Sequence, residues 1–416
     1  MRKIFCFLTL LFFTYTSYTQ WIQVSNGMGI DQFVNCLNVK GNLIFAGTKN
    51  DGIFLTTNSG NNWSTANIGL SVLNIGAMAS DNNTILAGTV NGGLYFSTNN
   101  GEQWILATNG ISDPNIVSIL INGSYIFAGT YNQGIFRSTN NGNTWLNCFN
   151  TMRPYSLYMK DGFLFVGTIY NGVFRSSNNG VSWDTTNSGL ENVSVFDFTS
   201  NGNTLFAGTR KQYNSDTCGV YCSTNNGNSW YPSNGDVLTF DTVYTIVNSG
   251  SNIFAGTCRG IFLSTNNGIN WSSINQGFTT IPFITDLVIT NGYIYAGTIN
   301  FIAGQFGQSV WRRPLIEVFG IETISSEIPS GFAISQNHPN PFNPTTNFEF
   351  RIAEFGFVNL TIYDVMGRSV ETLQHGEMKP GVYKAEWNAS GYPSGVYFYR
   401  LSSGSFTETR KMVLIK

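Results

Sequence analysis

The side chains that could do chemistry are few. Histidine occurs twice, at His338 and His375, so the first 337 residues offer no imidazole. A Ser/His/Asp or Cys/His nucleophile, a histidine zinc site and an HExxH helix are excluded from that stretch. No GxxxxGK[ST] loop and no GxGxxG after a strand is present, which leaves nucleotide phosphates without a cradle. No metal and no cofactor is expected. Two carboxylates remain as an acid/base pair, Asp197 and Asp286, and such a pair could serve glycosidic cleavage. Capping of strand ends accounts for them equally well. The other candidates are aromatic: Tyr131, Tyr170, Tyr213, Phe301 and Phe306 sit near Asn and Gln. Flat faces beside amides suit a sugar ring or a protein partner, and packing over their own loops is the competing use.

Composition narrows the partners. Lys and Arg number 21 against 23 Asp and Glu, a net charge of −2. With no basic field to gather phosphates, nucleic acid is not an expected partner. Gly at 45 residues and aromatics at 15% indicate a β-rich, turn-rich chain. Arg2 and Lys3 precede an apolar run over 4–13, and Ser17-Tyr18-Thr19 offers a small-x-small cleavage site, so residues 1–19 read as a secretory signal peptide. The run is about half the roughly 20 residues of a membrane span, and no transmembrane segment is expected in the mature chain. Five cysteines follow it, Cys36, Cys148, Cys218, Cys222 and Cys258. An odd number makes no disulfide framework; Cys218 and Cys258 could pair or stay as two thiols.

The elements that must position these residues are repeats. [AV]-Gly-Thr starts at Ala46, Ala87, Ala128, Val166, Ala207, Ala255 and Ala296, spaced 41, 41, 38, 41, 48 and 41 residues apart. A second phrase, [ST]-N-x-G-x-x-W, ends at Trp63, Trp104, Trp145, Trp183, Trp230 and Trp271. The third unit reads as four short strands over 116–121, 125–130, 135–139 and 145–149, and four strands in about 41 residues make a propeller blade. The seventh unit lacks its Trp phrase, while Trp21 stands 42 residues before Trp63. The expectation is all-β: a seven-bladed β-propeller over 20–316, closed by an N-terminal strand that leaves no open sheet edge.

Ser-Thr-Asn-Asn-Gly-x-x-Trp, starting at Ser97, Ser138, Ser223 and Ser264, resembles the Asp-box (BNR) hairpin of sialidase-like and assembly-factor-like propellers. Asn replaces the family's Asp at Asn58, Asn99, Asn140, Asn178, Asn225 and Asn266, and its amide oxygen can still accept main-chain N–H bonds. The resemblance implies a structural role for these hairpins. Sialidase chemistry is not expected, since Glu102 and Glu191 are the only glutamates before Glu317. The opposite face carries the strand 2–3 connections, with insertions over 210–218 and 300–308, and elaborated loops are where binding is expected. Aligned first strands place Cys36, Ala77, Ser118, Ser156, Asp197, Thr245 and Asp286 along the axis.

After Pro314 the repeat stops; 317–331 reads as a linker and 332–416 as a small Ig-like β-sandwich. The motifs 336–346 (QNHPNPFNPTT), 363–368 (YDVMGR), 394–401 (SGVYFYRL) and 411–416 (KMVLIK) resemble the type A C-terminal sorting domain of type IX secretion substrates. His338 stands where that family usually has Tyr. The resemblance implies recognition by the type IX translocon and delivery from the periplasm to the surface or medium. The expected function is an exported, non-enzymatic propeller that binds an extracellular glycan or protein through its strand 2–3 loop face. A polysaccharide-degrading hydrolase or lyase with acids near the axis is the alternative.

Overall fold

The phrase that recurs every 41 residues or so becomes the second strand of a sheet, and it is buried on both faces. In Leu43–Thr48 all but the first residue is buried, so the strand reads as a continuous apolar run without alternation. Its glycine has a packing reason. A Cβ on Gly88 would meet Ile116 Cγ2 at 2.5 Å, and one on Gly297 would meet Val34 Cγ1 at 2.8 Å, so the inner strand of the next sheet can approach only a bare Cα.

The computed structural model describes residues 20–29, 32–151, 153–190, 193–211, 218–235, 238, 241–299, 309–318 and 321–416, with backbone alone at 193, 211, 317 and 322. The expected leader, 1–19, lies outside these residues. No helix among the described residues is long and apolar enough to cross a membrane.

From Ile22 to Pro314 the described chain forms seven four-stranded antiparallel sheets. The third runs Ile116–Asn122, Tyr125–Thr130, Gly134–Ser138 and Leu146–Phe149, within a residue or so of the expected strands. The seventh sheet contains Phe283–Thr290, Tyr293–Ile299 and Val310–Pro314, and its outer strand is Ile22–Gln23, with Ile22 opposite Arg312 and Gln23 opposite Trp311. Neighbouring sheets touch through their inner strands in chain order, and the last meets the first. There Thr285 Oγ1 donates to Val34 O at 2.6 Å, and Leu37 N donates to Asp286 Oδ2 at 2.7 Å.

Each hairpin before an outer strand is held by two side chains. At Asn99 the amide Oδ1 accepts from Gln103 N at 3.1 Å, while Ser97 Oγ accepts from Gly101 N at 3.0 Å. The same pair of bonds recurs at Asn140, Asn178, Asn225 and Asn266. Two consecutive left-handed residues, such as Asn100 and Gly101 with φ of 56° and 83°, make the turn, which is why Asn and Gly occupy it. The tryptophan that follows reaches into the preceding sheet. Trp104 Nε1 donates to Ala66 O at 2.8 Å, Trp230 Nε1 to Thr186 O at 2.9 Å and Trp271 Nε1 to Ser233 O at 2.7 Å. Trp21, from the far end of the chain, does the same to Ile274 O at 2.7 Å.

The C-terminal unit is two stacked sheets. One orders Ile321–Ser325, Gly381–Asn388, Thr345–Ile352 and Ala333–Ile334; the other orders Ser369–Met378, Gly356–Tyr363, Gly395–Ser403 and Phe406–Leu414. Phe348 and Trp387 of the first pack on Tyr399 and Tyr397 of the second, with ring centroids 4.6 and 5.3 Å apart. Within and beside the stretch read as a linker, 317–331, Leu315–Val318 is a helical turn and Ile321–Ser325 an edge strand paired with Val382–Ala385. Ile321 is buried in the core shared by the two units.

Trp21 is 1% exposed and Ile22 41%. Replacing Trp21 with Ala should therefore destabilise the chain by about 3–5 kcal/mol, whereas Ile22→Ala should cost roughly 0.5 kcal/mol or less. Urea unfolding of the two variants checks this, and equal small losses would mean that the N-terminal strand carries no packing.

Candidate functional site

All seven inner strands break register near their start, between Val34 and Cys36 in the first sheet and at the equivalent pair in every other. An extra residue in a strand bulges out and re-aims a side chain. The bulged residues are Asn35, Gly76, Val117, Tyr155, Phe196, Tyr244 and Thr285, and all seven line one axial cavity of about 800 Å³. The residues just after them, Cys36 through Asp286 of the aligned series, line the same cavity. Two rings of seven thus stack along the axis, with a varied ring at the mouth and a small or polar ring beneath.

The mouth is asymmetric. Tyr155 meets Phe196 edge-on at 5.7 Å, Phe196 meets Tyr244 at 5.4 Å, and Tyr244 meets Phe283 at 4.3 Å. Asn35, Gly76, Val117 and Thr285 complete the ring of bulged positions with little bulk, and Phe283 joins the mouth from two residues before Thr285. None of the four rings belonged to the candidates read from sequence. The signal that could have found three of them is a column one residue before the axial series, aromatic in three successive units, and Phe283 stands outside it.

Asp197 and Asp286 both reach the cavity, and each ties two sheets together. Asp197 Oδ2 accepts from Ile246 N at 2.9 Å and its Oδ1 from Phe198 N at 2.8 Å. Asp286 Oδ2 accepts from Leu37 N, and its Oδ1 from Leu287 N at 2.8 Å and from Thr245 Oγ1 at 3.3 Å. Burial pushes Asp197 up to about 7, against the main-chain N–H bonds and helped by the charge of Asp286. Burial likewise pushes Asp286 up to about 6. Both keep some contact with solvent through the cavity. The axial Cys36 thiol is pushed up by burial and by Asp286. Among the described residues no three His, Cys, Asp or Glu side chains gather into a metal-binding group.

Tyr131 and Tyr170 stand on the strand 2–3 connections of sheets three and four. Arg153 lies between them, its Cζ 4.4 Å from the Tyr131 ring and 5.6 Å from the Tyr170 ring, and its Nη1 donates to Tyr170 Oη at 3.2 Å. Tyr131 is half-buried and Tyr170 is exposed. Beside them runs a groove of about 640 Å³ lined by the amides of Asn132, Gln133, Asn147, Asn150 and Asn171 together with Phe149 and Phe174. Tyr213, Phe301 and Phe306 lie outside the described residues. Cys218 and Cys258 are not joined: Cys218 Sγ donates to Asp241 O at 3.3 Å, and Cys258 is exposed. His375 packs edge-on against Phe357 at 4.8 Å, and His338 pairs through its backbone with Asn347.

The linkage sign for the two aspartates follows from these directions. Their folded values lie above the ordinary carboxylate value of 3.8, so the folded chain holds more protons than the unfolded one between about pH 4 and 7. Stability from this pair is present at the acid end and falls as pH rises through the folded values. Calorimetry should show a Tm that declines from pH 5 to pH 8, with a flatter decline in Asp197→Asn and Asp286→Asn. A Tm that rises over that range with equal slopes in all three chains would contradict it.

Known proteins resemble the two halves of the chain differently. Residues 337–416 match the secretion system C-terminal sorting domain. No curated protein matches the sequence. Among solved structures, the extracellular domain of a one component system from B. thetaiotaomicron aligns with TM-score 0.56 at 16% identity, over 82% of this chain and 46% of that one. PorZ, a surface component of the type IX secretion system of Porphyromonas gingivalis, aligns with TM-score 0.53 at 15% identity, over 91% and 59%. YCF48 bound to D1 peptide aligns with TM-score 0.55 at 11% identity, over 72% and 98%. The chain spans about half the length of the first and under two thirds of the second. At such identities the likeness concerns the fold, which is a β-propeller. Residues 337–416 are a type IX sorting domain, and the protein is exported to the cell surface or secreted.

Proposed function

We propose that residues 20–316 form a seven-bladed propeller of Asp-box-like hairpins, closed by its N-terminal strand, and that this propeller is a non-enzymatic module binding a neutral extracellular glycan on its strand 2–3 loop face. The seven sheets and the pairing of Ile22–Gln23 with Val310–Pro314 support the closed ring. The observation that carries the binding reading is the groove beside Tyr131 and Tyr170. Five side-chain amides can each donate to and accept from sugar hydroxyls, and the exposed ring of Tyr170 next to them, with half-buried Tyr131 behind it, supplies a stacking surface. Among the described residues no carboxylate lines that groove, so they supply the groups for holding a sugar without the acid pair that cleaves one. The axial aspartates serve as inter-sheet ties in this reading.

The C-terminal unit contributes export through the type IX translocon. Its turn at Asp364 is closed by bonds from Met366 N and Arg368 N at 2.9 and 3.0 Å, and it holds Val365 and Met366 out in solvent. Because Ile321–Ser325 belongs to the sandwich, a portable sorting unit should begin near 315 and not near 332. A fusion of residues 315–416 behind an unrelated exported protein should reach the surface or medium, as detected by fractionation. Periplasmic retention of that fusion beside an exported full-length protein would reject the assignment.

Glycan-array binding with the full chain, followed by a hydrolysis screen on whatever binds, tests the module itself. Tyr131→Ala and Tyr170→Ala should each weaken glycan binding by roughly 1–3 kcal/mol with little loss of stability. Asn99→Ala should lower stability by roughly 1 kcal/mol and leave binding unchanged. Release of reducing ends would favour the hydrolase, and capture of a protein with no glycan bound would favour a protein partner.

A further inference from the structure

Two carboxylates reach the axial cavity, and Lys49, which also lines it, forms an ion pair with neither. Asp197 and Asp286 both reach its wall, and among the described residues neither belongs to an ion pair. Each accepts two main-chain N–H groups, bonds that favour the ionised form against the burial that opposes it. Enclosed carboxylates without a cation are costly, and the walls of this cavity suit one. The rings of Phe196, Tyr244 and Phe283 run in contact above the aspartates, and ring faces attract cations. Ser156, 6% exposed, lines the same cavity with an Oγ that has no partner, and an orphaned buried hydroxyl points to an absent group.

We propose that the axial cavity binds an organic cation, a protonated amine or guanidinium on a carbon stem, with its charged end at Asp197 and Asp286 and its stem against Phe196 and Tyr244. A bare metal ion fits less well, because two carboxylates and a threonine fall short of the six to eight oxygens that calcium takes, in a cavity of about 800 Å³. Lys49 illustrates the same affinity at the rim. Its Nζ lies 5.5 Å from the centroid of the Phe33 ring. The chemistry has two sources, the lysine or arginine side chain of a partner protein and an amino sugar, and the site is separate from the groove beside Tyr170.

Isothermal titration of the full chain tests it with Nα-acetyl-lysine methylamide, Nα-acetyl-arginine methylamide and glucosamine. The norleucine analogue and N-acetylglucosamine are the neutral counterparts. At least one cation should bind about tenfold or more tightly than its counterpart, and which one binds identifies the source. Asp197→Asn with Asp286→Asn should abolish that preference. Because those aspartates also tie sheets together, a second variant, Phe196→Leu with Tyr244→Leu, removes only the rings and should weaken the cation several-fold. The proposal is wrong if no cation binds, if neutral counterparts bind as tightly, if calcium binds where amines do not, or if the ring variant keeps the parent's affinity.

Discussion

Most of the repeat region depends on one kind of bond, the indole N–H donated across a sheet boundary; Trp145 is the exception, donating to Gly142 O of its own hairpin at 3.0 Å. The outer strand is two residues long in six of the seven sheets, too short for its ladder to hold it alone. The Asn-Gly hairpin orients a tryptophan at its base, and the tryptophan buries its ring between sheets while satisfying a carbonyl of the neighbour. A polar group is paired in the act of burying a large apolar surface. The companion glycine shows how tightly this is built: a Cβ on Gly69 would meet Trp104 O at 2.1 Å, and one on Gly277 would meet Trp21 O at 2.4 Å. Sheets stapled in this way form a rigid scaffold whose loops and axis can vary.

Variation is concentrated at the bulges. A bulge on every inner strand costs the ladder one pairing and returns a side chain aimed at the axis, so the seven positions are chemically independent. Aromatics occupy three adjacent ones and small or polar residues the rest, which gives a rotationally repetitive body a lopsided mouth. The two aspartates stand where small residues occupy other sheets, and both are answered by main-chain N–H groups of the next sheet. They lie where the sheets meet and where the cavity opens.

Much of this was legible in the sequence. The recurring Ala-Gly-Thr and Trp phrases gave the strands of each unit, and the phase of Trp21 pointed to the strand that pairs with Val310–Pro314. The column Cys36 to Asp286 was placed along the axis by alignment, and it lines the cavity. The aromatic mouth was not legible, because strict alternation predicts that Tyr155, Phe196 and Tyr244 point away from the axis, and only the bulge reverses them. Ser369–Met378 escaped notice because three consecutive residues in it, Thr372, Leu373 and Gln374, are buried. That edge strand is covered by the sixth sheet, where Asn252 Nδ2 donates to Thr372 O at 3.1 Å and Ser251 Oγ accepts from Thr372 N at 3.1 Å. A contact between distant segments leaves no period in either. Ile321–Ser325 hid for a related reason, since a register shift puts Ile321 inside and Ile324 in solvent.

The sorting unit and the repeat region are therefore one packed body at this seam, with the edge of one sheet capped by side chains from a turn of another. Covering an edge in this way also removes a template for unwanted strand pairing. The proposed ring has the same need at its chain-end junction, where Ile22–Gln23 pairs with Trp311 and Arg312. Hydrogen exchange at Val310 and Arg312, whose amides face the N-terminal strand, measures that junction most directly. If the N-terminal strand closes the ring, those amides should exchange as slowly as the amides of Tyr293–Ile299 beside them. Exchange at the rate of exposed loops in an otherwise protected sheet would show that the ring is open there.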